Sequence, residues 1–293
     1  MIYGVLMGGL GNQLFQIFAT IAYALQNGHS FAFQKNEYLG RQDRPTYWLN
    51  LLAKLQPYLV DHLPNITYFE NGQHEYNALP IVPSSDNGMI CIEGYFQSEL
   101  YFKPHFSTIC DMIDLGHFQS DLLANKDYGC YSQMISMHFR LGDYKNLPLH
   151  HPILPYEYYK KSLAHILLAH ILSMAHILSM DNTMTNVLYF CEVEDNNTVL
   201  DTVMKLQVEF PGITFNKAPD SASDWQQVLM MSVCRHHIIA NSSFSWWGAY
   251  FHRYMNKNGE PHLVCHPKDW FGPDLSYLNM KDVHPKEWTE FIV

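Results

Sequence analysis

The stretch His138-Phe139-Arg140-Leu141-Gly142-Asp143 decides how the chain is read. Residues 131–137 before it read as a strand, and residues 145–155 after it form a loop rich in Pro and His. An open α/β sheet binds its ligands beyond the carboxyl ends of its strands, so a strand that delivers a His, an Arg and an Asp into a loop has the layout of a site. The arginine is the informative residue. Its planar fork of donors matches phosphate oxygens and keeps its charge at any working pH. A surface salt bridge between Arg140 and Asp143 is the alternative reading of the same spacing.

Working outward, short apolar runs at 187–191, 213–215, 234–240 and 263–265 read as strands. Helical patterns begin at 156, run on to 208 after the second strand, and recur at 224–233. This alternation implies a parallel, doubly wound sheet from residue 130 onward. The run Glu192-Val193-Glu194-Asp195 closes a strand and precedes a helix, where acidic residues favour the helix N-terminus. The 234–240 strand ends in Asn241-Ser242-Ser243-Phe244-Ser245. Hydroxyls and an amide at a helix start serve as caps, and together with free N–H groups they also make a pyrophosphate cradle.

The N-terminal part begins with a strand at 2–7, the turn Gly8-Gly9-Leu10-Gly11-Asn12-Gln13, and a helical pattern through Leu14, Phe15, Phe18, Ala22 and Leu25. Strand, glycine turn and helix make a phosphate-binding start. The dinucleotide fingerprint needs a third glycine where Leu14 stands, which argues against a nicotinamide or flavin site. The turn serves either tight packing or, through Gly11, Asn12 and Gln13, a contact surface. Residues 31–87 look irregular, and loops with short helices are expected there. A buried strand at 89–92 leads to Glu93, read equally as a site carboxylate or as the partner of an arginine. Helices are expected over 99–125, then a linker at 126–129, which divides the chain into domains 1–127 and 128–293.

With 47% apolar and 16% charged residues the chain has an ordinary globular composition, and a net charge of −10 argues against a nucleic-acid binder. The six cysteines, at 91, 110, 130, 191, 234 and 265, are scattered as in a reduced cytoplasmic protein rather than a disulfide framework. The opening residues lack a basic region and an unbroken apolar run, so no export signal or integral membrane segment is expected, although peripheral membrane contact stays open. A tandem hexamer, 169–174 copied at 175–180, brings His165, His170 and His176 into one apolar run. Spacings of five and six do not place two ligands on one helical face, so a lengthened packed helix or a surface bulge is expected rather than a metal site.

Three stretches taken in order resemble the alpha-1,2-fucosyltransferases of bacterial and viral kind. They are Gly8 to Gln16, His138 to Tyr144, and Ile238 to Tyr250, with weaker support from Gly94-Tyr95-Phe96-Gln97 and Pro267-Lys268-Asp269-Trp270. The resemblance implies a GT-B-like α/β architecture, two Rossmann-like domains facing a cleft, with GDP-fucose held mainly by the second. It implies inverting, metal-independent transfer of L-fucose to the 2-hydroxyl of a terminal β-galactoside, with no cofactor besides the donor. Arg140 then matches the arginine that holds the pyrophosphate, with His138 and Asp143 beside it. Ser242, Ser243, Ser245 and Asn241 match the stretch near the phosphates, and Asn12 and Gln13 match the turn that lines the cleft. Two departures stand out. Leu141 occupies the place of a second basic residue, and Gln227 occupies that of a guanine-pairing acid, with Asp224 one helical turn away. Asp143, Glu93 and Glu192 are the carboxylates available as a base. A fucosyltransferase of another linkage or acceptor, and a non-catalytic nucleotide-sugar or glycan binder, are the rival readings.

Overall fold

Ile2, Tyr3 and Gly4 are too few to hold a strand at a surface, and they become the centre of a parallel sheet instead. The computed structural model describes residues 1–40, 44–70, 74–80, 89–124, 131–174 and 186–292. Strand β1 (Ile2–Gly4) leads to helix α1 (Leu10–Gln26) and β2 (Phe31–Gln34). A small antiparallel pair, β3 (Tyr38–Leu39) and β4 (Arg44–Pro45), precedes β5 (Leu59–Val60), β6 (Tyr68–Phe69) and β7 (Ile90–Glu93). The sheet order is β5-β2-β1-β7-β6, with every neighbour parallel. Helix α1 is buried along most of its length, and Phe15 and Phe18 meet Phe102 with ring centroids 6.1 and 5.5 Å apart. The region expected to be irregular thus supplies β2, β5 and β6. These strands run only two to four residues, too short for alternation to show, and pairing with neighbours distant in sequence makes them.

Helices α2 (Phe106–Met112) and α3 (Leu115–Ala124) follow. The chain divides into one unit of Met1–His117 with Tyr277–Pro285, and a second of Phe118–Ser276 with Lys286–Val293. The division falls at the start of α3 rather than after residue 127, and the linker expected at 126–129 lies outside the described residues. Most of α3 belongs to the second unit because Phe118 packs edge-on to Trp225 and the buried Gln119 amide donates to Ser232 Oγ and the Phe251 carbonyl, both at 3.1 Å. The late segment joins the first unit through polar contacts. Asn279 donates to Glu75 at 2.7 Å, and Lys281 pairs with the same carboxylate at 2.8 Å.

The second unit runs β8 (Met134–His138), α4 (Tyr156–Met174), β9 (Asn186–Phe190), α5 (Asn196–Glu209), β10 (Thr214–Lys217), α6 (Asp224–Ser232), β11 (His236–Ile238), α7 (Ser243–Met255), β12 (Val264–Pro267) and β13 (Thr289–Phe291). Its sheet order is β10-β9-β8-β11-β12-β13, all parallel. The expected alternation holds, and the chain is an α/β protein of two Rossmann-like units. Residues 131–133 turn out as a 3-10 turn ahead of β8, and β13 had no signal in the sequence. The hexamer's first copy closes α4, with Leu168 and Ile171 exposed, whereas the second copy lies outside the described residues. Among the described residues no helix is long and apolar enough to cross a membrane.

Helix α7 is anchored by Trp246 stacked on Tyr250 at 4.5 Å, and it lies close to α6 at Gly248. A Cβ on Gly248 would stand 2.7 Å from Met231 Cβ and 2.8 Å from its sulfur. Gly248→Val therefore overpacks the helix pair and should lower unfolding free energy by about 1–3 kcal/mol. Urea denaturation reads this directly, and an unshifted midpoint would contradict the close approach.

Candidate functional site

In the first unit the glycine turn leads into α1, whose first turn contains Gly11, Asn12 and Gln13. Gln13 is fully buried, and its amide donates to the Gly8 carbonyl at 3.0 Å and the Pro45 carbonyl at 2.9 Å. Asn12 Oδ1 accepts from Gln97 Nε2 at 2.9 Å. Gln13 thus ties the turn to β4, and Asn12, half-buried, holds the stretch at Gly94–Gln97 in place. Glu93 ends β7, and its carbonyl accepts from Glu70 N at 2.8 Å. Glu70, which no pattern marked, binds the backbone N–H groups of Tyr95 and Phe96 at 2.6 and 2.9 Å. Burial raises its pKa against the pull of those N–H groups.

In the second unit the carboxyl ends of β8, β9 and β11 lie side by side. Arg140 bonds Asp143 Oδ1 at 2.5 Å, pairs with Glu192, and sits over the Tyr144 ring, 5.1 Å from its centroid. Burial works against the guanidinium charge, but Glu192 and Asp143 outweigh it and raise the pKa. The salt bridge read from spacing is therefore present, and Glu192 extends it. Gly142 adopts φ +32°, and a Cβ there would strike the Glu192 carboxylate, which is why the motif has glycine at this place.

The acidic run after β9 does more than favour a helix. Asp195 is fully buried, accepts from Gly142 N at 2.7 Å and pairs with Lys145, while it makes no side-chain cap on α5. The loops after β8 and β9 are thereby bolted together. Leu141 is buried in the core beside Phe139 and Leu154, so that position faces inward, and Lys145 provides the nearby second cation.

His138 is 7% exposed, and its ring lies 5.4 Å from that of Phe244. Burial first, then Arg140, pushes its pKa down to about 3, so the imidazole is neutral at any working pH. Its Nδ1 is buried without a hydrogen-bond partner. Tyr144 donates its hydroxyl to the Asn241 carbonyl at 2.9 Å and so joins the β8 loop to the start of α7. The Asn241 amide donates to the carbonyls of Pro152 and Trp270 at 3.0 and 3.2 Å. Ser242 caps α7 by accepting from Phe244 N at 3.3 Å, and Ser245 Oγ accepts from Ala240 N at 3.2 Å. Ser243 is the one of the three hydroxyl residues that stays half-buried rather than buried.

The structure brings His138, Arg140, Asp143, Asn241 and the α7 serines together. Asp224 and Gln227 lie on α6, which follows β10, two strands along from β8. Asp224 Oδ1 accepts from Trp225 N at 2.7 Å, and the Gln227 amide donates to the Ala222 carbonyl at 2.9 Å. Glu192 and Tyr144 bind within the cluster although sequence alone did not set their partners. Strand-end position was the available signal for both.

The profile of Glycosyl transferase family 11 matches residues 202–264, which include Asn241–Ser245. Two proteins of Escherichia coli align over nearly all of the chain. The O-antigen biosynthesis glycosyltransferase WbnK is 26% identical, with 95% of this chain and 98% of that protein covered. An alpha-1,2-colitosyltransferase is 24% identical, covering 97% and 96%. The chain is similar to bacterial glycosyltransferases along nearly its whole length, and to family 11 over residues 202–264. Among solved structures, fucosyltransferase NodZ from Bradyrhizobium is 14% identical with a TM-score of 0.42, over 85% of this chain and 91% of that one.

The cluster sets the Arg140 guanidinium and Lys145 among three carboxylates at one sheet end. The Arg140 fork engages two carboxylates through its two terminal nitrogens, which leaves further N–H donors for an anion. The N-terminus of α7 adds backbone N–H groups and the positive end of the helix dipole. Such a site suits a leaving group that gains negative charge.

Proposed function

We propose that the enzyme moves L-fucose from GDP-β-L-fucose to the 2-hydroxyl of a terminal β-galactoside, with inversion and without a metal in the transfer step. The carrying observation is the placement of Arg140 at the carboxyl end of β8, beside the Ser242-capped start of α7. The acceptor oxygen forms its bond to the anomeric carbon as the bond to the GDP β-phosphate oxygen breaks. GDP departs with the electron pair, and the hydroxyl proton passes to a carboxylate. Arg140 and the α7 N–H groups stabilise the charge on the diphosphate. Asp143 and Glu192 are the carboxylates nearest that charge in the second unit, and His138, neutral and buried, packs beside Arg140. Asp224, at the start of α6, is the carboxylate proposed for the guanine edge in place of Gln227.

The 1,2 linkage is supported by the ordered motifs and by a relative named alpha-1,2-colitosyltransferase. That same relative favours a second reading in which the donor sugar is colitose. Incubation with GDP-fucose and lactose, followed by mass and linkage analysis, tests the proposal. A single fucose on galactose O2 is expected. Product at another hydroxyl overturns the linkage, and turnover of GDP-colitose alone overturns the donor. GDP binding by calorimetry with no turnover of either donor makes the chain a binder.

A further inference from the structure

Away from the Arg140 cluster, three histidines from separate segments converge in the second unit. His237 lies on β11, His252 near the end of α7, and His262 in the segment leading to β12. One ring nitrogen of each lies within 4.8 Å of the others. The ring centroids are 5.5 Å apart for His237 and His252, 5.0 Å for His237 and His262, and 4.3 Å for His252 and His262. His237 and His252 are buried and His262 is half-buried.

Imidazoles inside a fold need partners for both ring nitrogens. His237 Nε2 and His262 Nε2 are buried and have none. The partners of the other nitrogens set the tautomers. His252 Nδ1 lies 3.2 Å from the Ser232 carbonyl, which only accepts, so Nδ1 carries the hydrogen and Nε2 keeps its lone pair. His237 Nδ1 lies 2.7 Å from Ser136 Oγ, a hydroxyl able to accept an Nδ1–H, and in that tautomer Nε2 is the lone-pair nitrogen. Metal-bound histidines have this arrangement, with the second ring N–H tied to a protein acceptor. The adjacent His236 has the opposite one. Its Nδ1 accepts from Leu263 N at 3.1 Å, so its hydrogen is on Nε2 and no lone pair remains.

We propose that His237, His252 and His262 bind a zinc-type divalent transition-metal ion that braces β11 against α7. Three neutral imidazoles are a donor set such ions accept, at bonds of about 2.0–2.1 Å, with a fourth position left for water. Burial favours the neutral form of the three rings, the form that ligates. Two cations near His262, Arg235 and Arg253, are each neutralised by a carboxylate, Glu260 and Glu287. His252 also lines a surface pocket with Arg235, Asn256 and Glu260, which gives the ion a way in. The rise of α7, about 1.5 Å per residue, puts His252 roughly 14 Å from Ser243, so this site and the transfer chemistry are tested separately.

The full chain, stripped with EDTA and dialysed, is titrated with zinc chloride and followed by calorimetry and thermal unfolding. Expected are one saturable zinc per chain and a rise in melting temperature. His262→Gln, at the half-buried position, and His252→Gln should each lose at least about tenfold in affinity, while His236→Gln retains it. Ser136→Ala, which removes the acceptor for His237, should weaken binding by about 10- to 100-fold. Absence of saturable binding by the folded chain overturns the proposal. So does unchanged zinc affinity in a folded His262→Gln protein.

Discussion

Arg140→Ala should lower kcat about 100- to 1,000-fold, equivalent to about 2.7–4 kcal/mol of barrier, the scale for loss of one preorganised donor to a developing anion. The guanidinium is set at a strand end by a bond to Asp143 and an ion pair with Glu192, so its geometry is fixed before substrate arrives. Its charge does not depend on pH over any working range, because the two carboxylates raise a pKa that is already high. The fold should survive the change. Asp143 and Glu192 are about half exposed, at 50% and 45%, and regain water when the arginine leaves; partly exposed pairs of this kind are worth about 0–1 kcal/mol. The measurement is steady-state transfer beside circular dichroism and thermal unfolding. Turnover within a few-fold of the unsubstituted enzyme would remove Arg140 from the mechanism.

The second large effect is loss of stability in acid, and His138 is its clearest source. Unfolded, this residue titrates near 6.5; folded, burial and then Arg140 push it down to about 3. Below about pH 6.5 the unfolded chain therefore binds a proton that the folded chain refuses. Stability from this group is complete above that pH and falls as pH drops toward about 3. The slope is about 1.4 kcal/mol per pH unit, and the total is on the order of 5 kcal/mol. His138→Gln has no such titration, so its denaturation midpoint should depend less steeply on pH by that amount. Parallel profiles for the two proteins would mean that His138 is not held neutral by the fold.

Much of the second unit was legible from residue 130 onward because its strands and helices alternate in contiguous runs, most of them, β13 apart, long enough to display a period or a cap. The first unit was harder to read. Strands β5 and β6 are two residues each and exist through their pairing with β2 and β7, so no local pattern announced them. The domain boundary moved for a related reason. Phe118 and Gln119 look like any helical residues, and only their contacts with Trp225, Ser232 and Phe251 assign them to the second unit.

For the site, the residue types and their order along the chain carried the chemistry. Arg140 at a strand end and hydroxyls at a helix start are local facts, and the Ser242 cap on α7 follows from them. Their partners were another matter. Glu192 and Asp195 looked like helix-start acids, yet β8 and β9 are neighbours, so one meets Arg140 and the other meets Gly142 and Lys145. Gln13 and Asn241 looked like ligand contacts, and their amide donors prove to brace turns of the protein itself.

Sequence by itself determined the α/β class, the strand-end arginine and the capped helix beside it, because periodicity, charge type and capping are properties of adjacent residues. Tertiary structure alone decided that Leu141 turns into the core while Lys145 supplies the neighbouring cation, that Arg140 sits between two carboxylates, and that His237, His252 and His262 share one place. Those outcomes depend on which strands become neighbours and in what register, and the pairing of segments far apart in the chain is set by packing of the whole unit.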